Sequence, residues 1–208
     1  MVNRVDSSPT GAGGGNRGHQ ASGTMSGHGN GNAPAGAATL ATKPSLVEWR
    51  KLRFVIMDAP KENNLHLYLK ELKRNNVSRV VRVCEPTYPA PEVEAAGMQL
   101  LEMEYDDGHA PPPEIISKWL DVVHHTFKDS AQGNSGEPGP AIAVHCVAGL
   151  GRAPVLVAIA LIEHGQDPMS AVEYIRARRR GAINLKQLSY LESYERQNRN
   201  GCASCAIM

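Results

Sequence analysis

The chain has 208 residues, a net charge of +1 and 41% hydrophobic residues, enough for one ordinary domain with a tail and too balanced in charge to drive binding to nucleic acid. No apolar stretch approaches the roughly 20 residues that span a bilayer, and the N-terminus lacks the apolar core of a secretory signal. Cys84, Cys146, Cys202 and Cys205 are too few and too unevenly spaced for a disulfide scaffold, so a reducing cytosolic setting is expected.

Residues 1–43 hold half of the 20 glycines and no aromatic residue. Such a segment cannot bury enough apolar surface to offset its ordering entropy, and a disordered Gly/Ser/Asn-rich tail is expected. His19 and His28 are too isolated there to suggest a metal site. The domain is expected over residues 44–197. Within it, Val47–Trp49 and Leu52–Met57 read as strands, and residues 61–75 fit a helix closed by Asn75-Asn76. Val77–Cys84 reads as a buried strand, Glu92–Met98 as a short helix and Gln99–Met103 as a further strand. Ile116, Trp119, Leu120, Val123 and Phe127 form the apolar stripe of a helix from Ile115 to Phe127. A polar, glycine-rich loop over 128–140 is longer than compact domains usually need. Ala141–Val144 then reads as a short buried strand and Pro154–Ile162 as a helix. Asp167-Pro168 starts another helix to about Arg180, and Leu185–Arg196 suggests the last. Strands alternating with helices predict an α/β fold with a central, mostly parallel sheet flanked by helices.

The run Cys146-Val147-Ala148-Gly149-Leu150-Gly151-Arg152 joins the Ala141–Val144 strand to its following helix. A strand, a tight loop and a helix start aim backbone N–H groups and the positive end of the helix dipole at one point, which makes an anion site. Gly149 and Gly151 supply backbone angles that side chains resist. Arg152 can offer two phosphate oxygens a planar fork of donors. Cys146 would sit in this positive pocket as a thiolate nucleophile, with His145 before it to orient and tune it. The loop and the arginine supply the positive charge, so no metal or cofactor is expected.

Cleavage of a phosphate ester by cysteine also needs a proton donor for the leaving oxygen. Glu104 to Pro113 follows a predicted strand and is bounded by Gly108 and the prolines, as a hinged loop would be. It offers Asp107, with Asp106 as the alternative. Arg176, Arg178, Arg179 and Arg180 read as favourable charge at a helix C-terminus.

The spacing from His145-Cys146 to Arg152 resembles the signature of cysteine-based tyrosine and dual-specificity phosphatases. Across roughly residues 45–208 the chain resembles more narrowly the phosphatases of regenerating liver, the PRL type of prenylated tyrosine phosphatase. The residues that carry this are Val83-Cys84-Glu85-Pro86-Thr87-Tyr88, Tyr105-Asp106-Asp107-Gly108, the run from His145 to Leu156, Arg179-Arg180-Gly181-Ala182 and Cys205-Ala206-Ile207-Met208. Where that family reads Trp-Pro-Phe before its paired aspartates, this chain reads Glu102-Met103-Glu104-Tyr105. The resemblance implies a dual-specificity-like fold and a phosphocysteine at Cys146, with Arg152 as phosphate ligand and Asp107 as acid. It also implies a reversible disulfide between Cys84 and Cys146, although a small buried thiol is the ordinary reading of Cys84 taken alone.

Many related phosphatases carry Ser or Thr where this chain has Ala153, a hydroxyl that helps the sulfur leave, so slow turnover is expected. The uncharged Val147, Ala148, Gly149 and Leu150 favour phosphoprotein substrates over polyphosphorylated lipid heads. Cys205-Ala206-Ile207-Met208 fits farnesylation at Cys205. One lipid chain anchors weakly, and Cys202 is a candidate for palmitoylation within a flexible 198–208 segment. The cytoplasmic face of the plasma membrane or endomembranes, with a cytosolic pool, is the expected location. By the resemblance, a slow enzyme could also act as a binding module that docks a membrane magnesium-transport regulator through its catalytic face.

Overall fold

A computed structural model describes residues 39–40, 42–128 and 138–197. The proposed tails therefore lie mostly (1–43) or wholly (198–208) outside the described residues, as do Cys202 and Cys205. The chain forms strands β1 (Ser45–Trp49), β2 (Leu52–Met57), β3 (Val77–Arg82), β4 (Gln99–Glu102) and β5 (Ala141–His145). Between and after them run helices α1 (Leu65–Arg74), α2 (Ala90–Ala95), α3 (Pro113–Phe127), α4 (Arg152–Glu163), α5 (Pro168–Arg176) and α6 (Leu185–Glu192).

The five strands make one sheet in the order β1-β2-β5-β3-β4. β1 pairs antiparallel to β2 through a tight hairpin, and the other three pairings are parallel. β5 lies at the centre with all five residues buried, its His145 opposite Met57 on one side and Arg82 on the other. Ligands of such sheets bind outside the carboxyl ends of the central strands, which is where the loop after His145 begins.

Alternation along the strands divides the core in two. Phe54, Ile56, Val81, Ile142 and Val144 face α3–α6, whereas Val55, Met57, Val80, Ala141 and Ala143 face α1 and α2. α4 is apolar all round and buried from Arg152 to Ile162, which fits a helix enclosed by the sheet and its sister helices. Each fully buried Leu, Ile or Val contributes about 1.5–3 kcal/mol of transfer free energy, so α4 is the strut on which the loop rests. Trp119 ties α3 to it by donating from Nε1 to the Leu156 carbonyl at 2.7 Å.

Several boundaries differ from the sequence expectation. α1 starts at Leu65 because Lys61–Asn64 form a turn in which Asn64 Oδ1 accepts from the Lys61 N–H at 2.8 Å. α4 starts at Arg152, so Arg152 and Ala153 already belong to its first turn. α5 stops at Arg176 and α6 at Glu192, each short of the expected end.

Candidate active site

The loop from Cys146 to Gly151 is held from outside by its carbonyls. Val147 O accepts from the Ala59 N–H at 3.0 Å and Leu150 O from the Ile183 N–H at 2.8 Å. Ala148 O and Gly149 O accept from the Arg179 guanidinium at 3.0 and 2.5 Å. In a trans peptide the C=O of one residue and the N–H of the next point in opposite directions. The N–H groups of Ala148, Gly149, Leu150 and Gly151 are therefore turned the other way, and among the described residues they donate to no protein acceptor. The first turn of α4 has no side-chain cap either, its N-cap being Gly151. Free N–H groups and a helix N-terminus converge as an anion site.

The two glycines serve different ends. Gly149 has φ +66°, and a Cβ there would lie 2.3 Å from the Met57 carbonyl oxygen. Gly151 has φ −111° and ψ −89°, so it does not take the left-handed conformation of Gly149. Its small size matters instead, because a Cβ would sit 3.1 Å from Gln187 Nε2 and 3.7 Å from Asp107 Oδ1.

Arg152 is buried and anchored through one nitrogen. Nη1 donates to the carbonyls of Val83 (3.2 Å) and Tyr105 (3.1 Å), and Tyr105 Oη donates back to the Arg152 carbonyl at 2.9 Å. Among the described residues the Nε–Nη2 edge finds no hydrogen-bond acceptor, and Nε is buried without one, although it lies 3.4 Å from Asp107 Oδ1. That edge can meet two oxygens of a tetrahedral anion. Asp107 is 72% exposed at its side chain and also accepts from the Gly108 N–H at 2.9 Å. Among the described residues the exposed Asp106 makes only a backbone contact, its carbonyl accepting from the His109 N–H. Met103 and Tyr105 are buried in the altered stretch before the aspartates, and Tyr105 fixes the base of the acid loop.

Behind Cys146 lies a buried polar chain. His145 is fully buried and its Nε2 is 2.6 Å from Tyr88 Oη. Burial pushes the imidazole down to about 3, helped by the positive charge of Arg82 and opposed by the Cys146 backbone, which favours a proton on the ring. His145 Nδ1 has no well-formed hydrogen bond. A proton on Nδ1 leaves Nε2 to accept from Tyr88, whose phenol burial keeps protonated. Arg82 completes the chain: it pairs with both oxygens of Glu102, donates to the Tyr88 carbonyl at 2.8 Å and lies over the Tyr88 ring. Cys84 and Cys146 are both free and buried. Burial raises the Cys84 thiol to about 11, against the lowering effect of Arg152.

The basic cluster at the end of α5 is not one feature. Arg179 is 5% exposed and grips the loop, Arg176 holds the Ala182 and Ile183 carbonyls, and Arg178 stacks over Tyr174 at 3.5 Å. The reading of the group as favourable charge at a helix C-terminus suits Arg176 in the last turn of α5 and Arg178, which donates to the Tyr174 carbonyl, and is corrected for the buried Arg179. Ile183 itself has φ +62°, a strained angle for a β-branched residue, and its N–H is the one on Leu150. The strain is held by Arg176 on one side. On the other, the α6 capping box joins the Asn184 and Gln187 side chains to each other's backbone N–H groups. A cavity of about 240 Å³, lined by Gly108, Ala110, Lys186, Gln187 and Tyr190, opens between the acid loop and α6.

Residues 55–166 match the family described as the polymorphic toxin system DSP-PTPase phosphatase. Protein tyrosine phosphatase type IVA A of Dictyostelium discoideum is 47% identical over 79% of this chain and 95% of its own length. The PRL-1 phosphatase of Drosophila melanogaster is 49% identical over 75% of this chain and 85% of its own. A protein tyrosine phosphatase of Leishmania major superposes with a TM-score of 0.67 at 38% identity, covering 74% of this chain and all of that one. The kinase-associated phosphatase, at 18% identity and a TM-score of 0.57, shares the fold.

Proposed function

The chain belongs to the type IVA, or PRL, family of protein tyrosine phosphatases, and from that premise we propose that it dephosphorylates tyrosine residues of phosphoproteins through a phosphocysteine at Cys146. The observation that carries this is the ring of unpaired N–H groups and the open Nε–Nη2 edge of Arg152 beside the cysteine. The Cys146 sulfur attacks phosphorus while the bond to the tyrosine oxygen breaks, and Asp107 gives that oxygen a proton. The loop N–H groups and Arg152 bind the equatorial oxygens, where charge is greatest in the transition state. Water then attacks phosphorus, returns a proton to Asp107, and frees phosphate and the thiolate.

Ala153 is fully buried in the first turn of α4 and offers the departing sulfur no hydroxyl, so the second step is the slow one. The rim residues Val147 (57% exposed) and Leu150 (38%) are apolar and suit a phenyl ring better than a polyphosphate. Peroxide that converts Cys146 to a sulfenic acid would let the Cys84 thiol displace water and close a disulfide. Cys84→Ser is expected to lose that product in intact-mass analysis.

Where Met208 is the free carboxyl end, Cys205 accepts a farnesyl group and Cys202 a palmitoyl group, and the enzyme sits on the cytoplasmic face of a membrane with a cytosolic pool. Lipid-directed mass spectrometry of the protein from its own cells tests this. A second reading, docking of a membrane transport regulator on the catalytic face, is favoured by the exposed Val147, Leu150 and Leu185. It predicts that Asp107→Ala spares the biological effect and that substitution of Arg152 abolishes it. The enzymatic proposal is tested with a phosphotyrosine peptide under reducing conditions. Acid quench should trap a phosphoryl group on Cys146 in the wild type; turnover by Cys146→Ser would contradict it.

A further inference from the structure

Arg179 lies on the turn after α5, with almost none of its surface in solvent. Besides the Ala148 and Gly149 carbonyls, it reaches the Ile56 carbonyl, Ser45 Oγ and Thr42 Oγ1 at 3.3–3.4 Å. The carboxylate whose charge acts on it is Asp58, which accepts from the hydroxyls of Thr42 and Tyr68. A buried cation is costly unless its donors are used. Here two of them are directed at the backs of adjacent peptide units of the loop. Only a planar guanidinium matches two neighbouring carbonyls in this way; an ammonium is a point charge without the fork. The same contact requires glycine at 149, because a Cβ there would lie 2.5 Å from Arg179 Nη2.

Resting on the reading that this loop holds a phosphoryl group, we propose that Arg179 is a positioning residue of the reaction. By holding the Ala148 and Gly149 carbonyls away from the pocket, it turns the N–H groups of Gly149 and Leu150 toward the phosphoryl oxygens. It touches no substrate. Ala59 and Ile183 secure the other two carbonyls, so loss of Arg179 loosens the middle of the loop and leaves its ends in place.

The test uses the full chain, reduced, with Arg179→Lys and Arg179→Met, each assayed well below its own melting temperature. The readouts are inhibition by orthovanadate and kcat/KM for an aryl phosphate. Both should weaken by about 10- to 100-fold in each variant, less than the roughly 10²- to 10³-fold of losing an oxyanion donor outright, because the donors stay and only their aim is loosened. The lysine variant should recover melting temperature toward wild type without recovering vanadate affinity, a split that a purely structural role would not give. A folded variant whose vanadate inhibition stays within about twofold of wild type overturns the proposal. Failure of both variants to fold also overturns it, by assigning Arg179 to the core alone. A wild type without activity overturns the phosphatase reading first and this one with it, whereas an active wild type with unaltered variants overturns this one only.

Discussion

Behind the phosphate loop, the side chains that touch it are buried and engaged, from Arg179 on the carbonyls to Tyr88 on His145. In front of it, Asp107 is 72% exposed and meets Arg152 through one 3.4 Å ion pair. The anion grip is thus part of the hydrophobic core, and its geometry is kept by the same contacts that keep the fold. The proton donor is carried on a loop that the fold barely needs. Changes at the rear should cost stability and activity together; changes at the front should cost activity alone.

The sharpest break of that contrast is at Gly149. Alanine there meets the Met57 carbonyl at 2.3 Å and Arg179 at 2.5 Å, at φ +66°. Strain of about 1–3 kcal/mol comes on top of a displaced loop, so Gly149→Ala should lower the melting temperature and abolish turnover. A variant that melts and turns over like wild type would refute the account of the loop.

At the front, Asp107→Asn should reduce kcat by roughly 10²- to 10⁴-fold, the usual worth of a general acid. Its melting temperature should stay close to wild type, because exposed ion pairs contribute about 0–1 kcal/mol. The same substitution at the exposed Asp106, which among the described residues is engaged through its carbonyl alone, should leave kcat unchanged.

The rear should also respond to acid. His145 stays neutral in the fold, at about 3, but binds a proton near pH 6.5 when the chain unfolds. Its contribution to stability is complete above pH 6.5 and is lost as pH falls toward 3. Between pH 6.5 and 5 the loss is about 2 kcal/mol, measurable as a falling urea midpoint. His145→Asn should flatten this part of the profile, and an equal slope in the variant would contradict the assignment.

The smallest effect is expected at Ala153. Ala153→Ser gives the departing sulfur a hydroxyl and should raise steady-state turnover roughly fivefold, about 1 kcal/mol in the barrier. Unchanged or reduced turnover would remove Ala153 as the reason for slow hydrolysis.

What could be read from sequence was what is local along the chain. Cys146 to Arg152 and the Tyr105–Gly108 string are contiguous, and their strand-loop-helix setting follows from apolar runs on either side. The supports are not contiguous. Arg179 meets the loop from 30 and 31 residues away, and Tyr88 reaches His145 across 57. A run of arginines after an amphipathic helix looks the same whether one is buried or none is. The turn that ends α5 at Arg176 decides which one is buried. The position of β5 between β2 and β3 was equally hidden, since each strand reads as an apolar run whatever its neighbours. The strained Ile183 gave no signal at all, because nothing local asks a β-branched residue to take φ +62°.

The most direct test of the phosphocysteine at the centre of this account is a rapid-mix experiment with a chromogenic phosphate ester and fully reduced protein. A stoichiometric burst followed by slow steady release is predicted, with the burst slowed by Asp107→Asn and absent in Cys146→Ser. Linear release without a burst in the wild type would mean that no phosphoenzyme accumulates; no release at all would mean that the pocket binds without reacting.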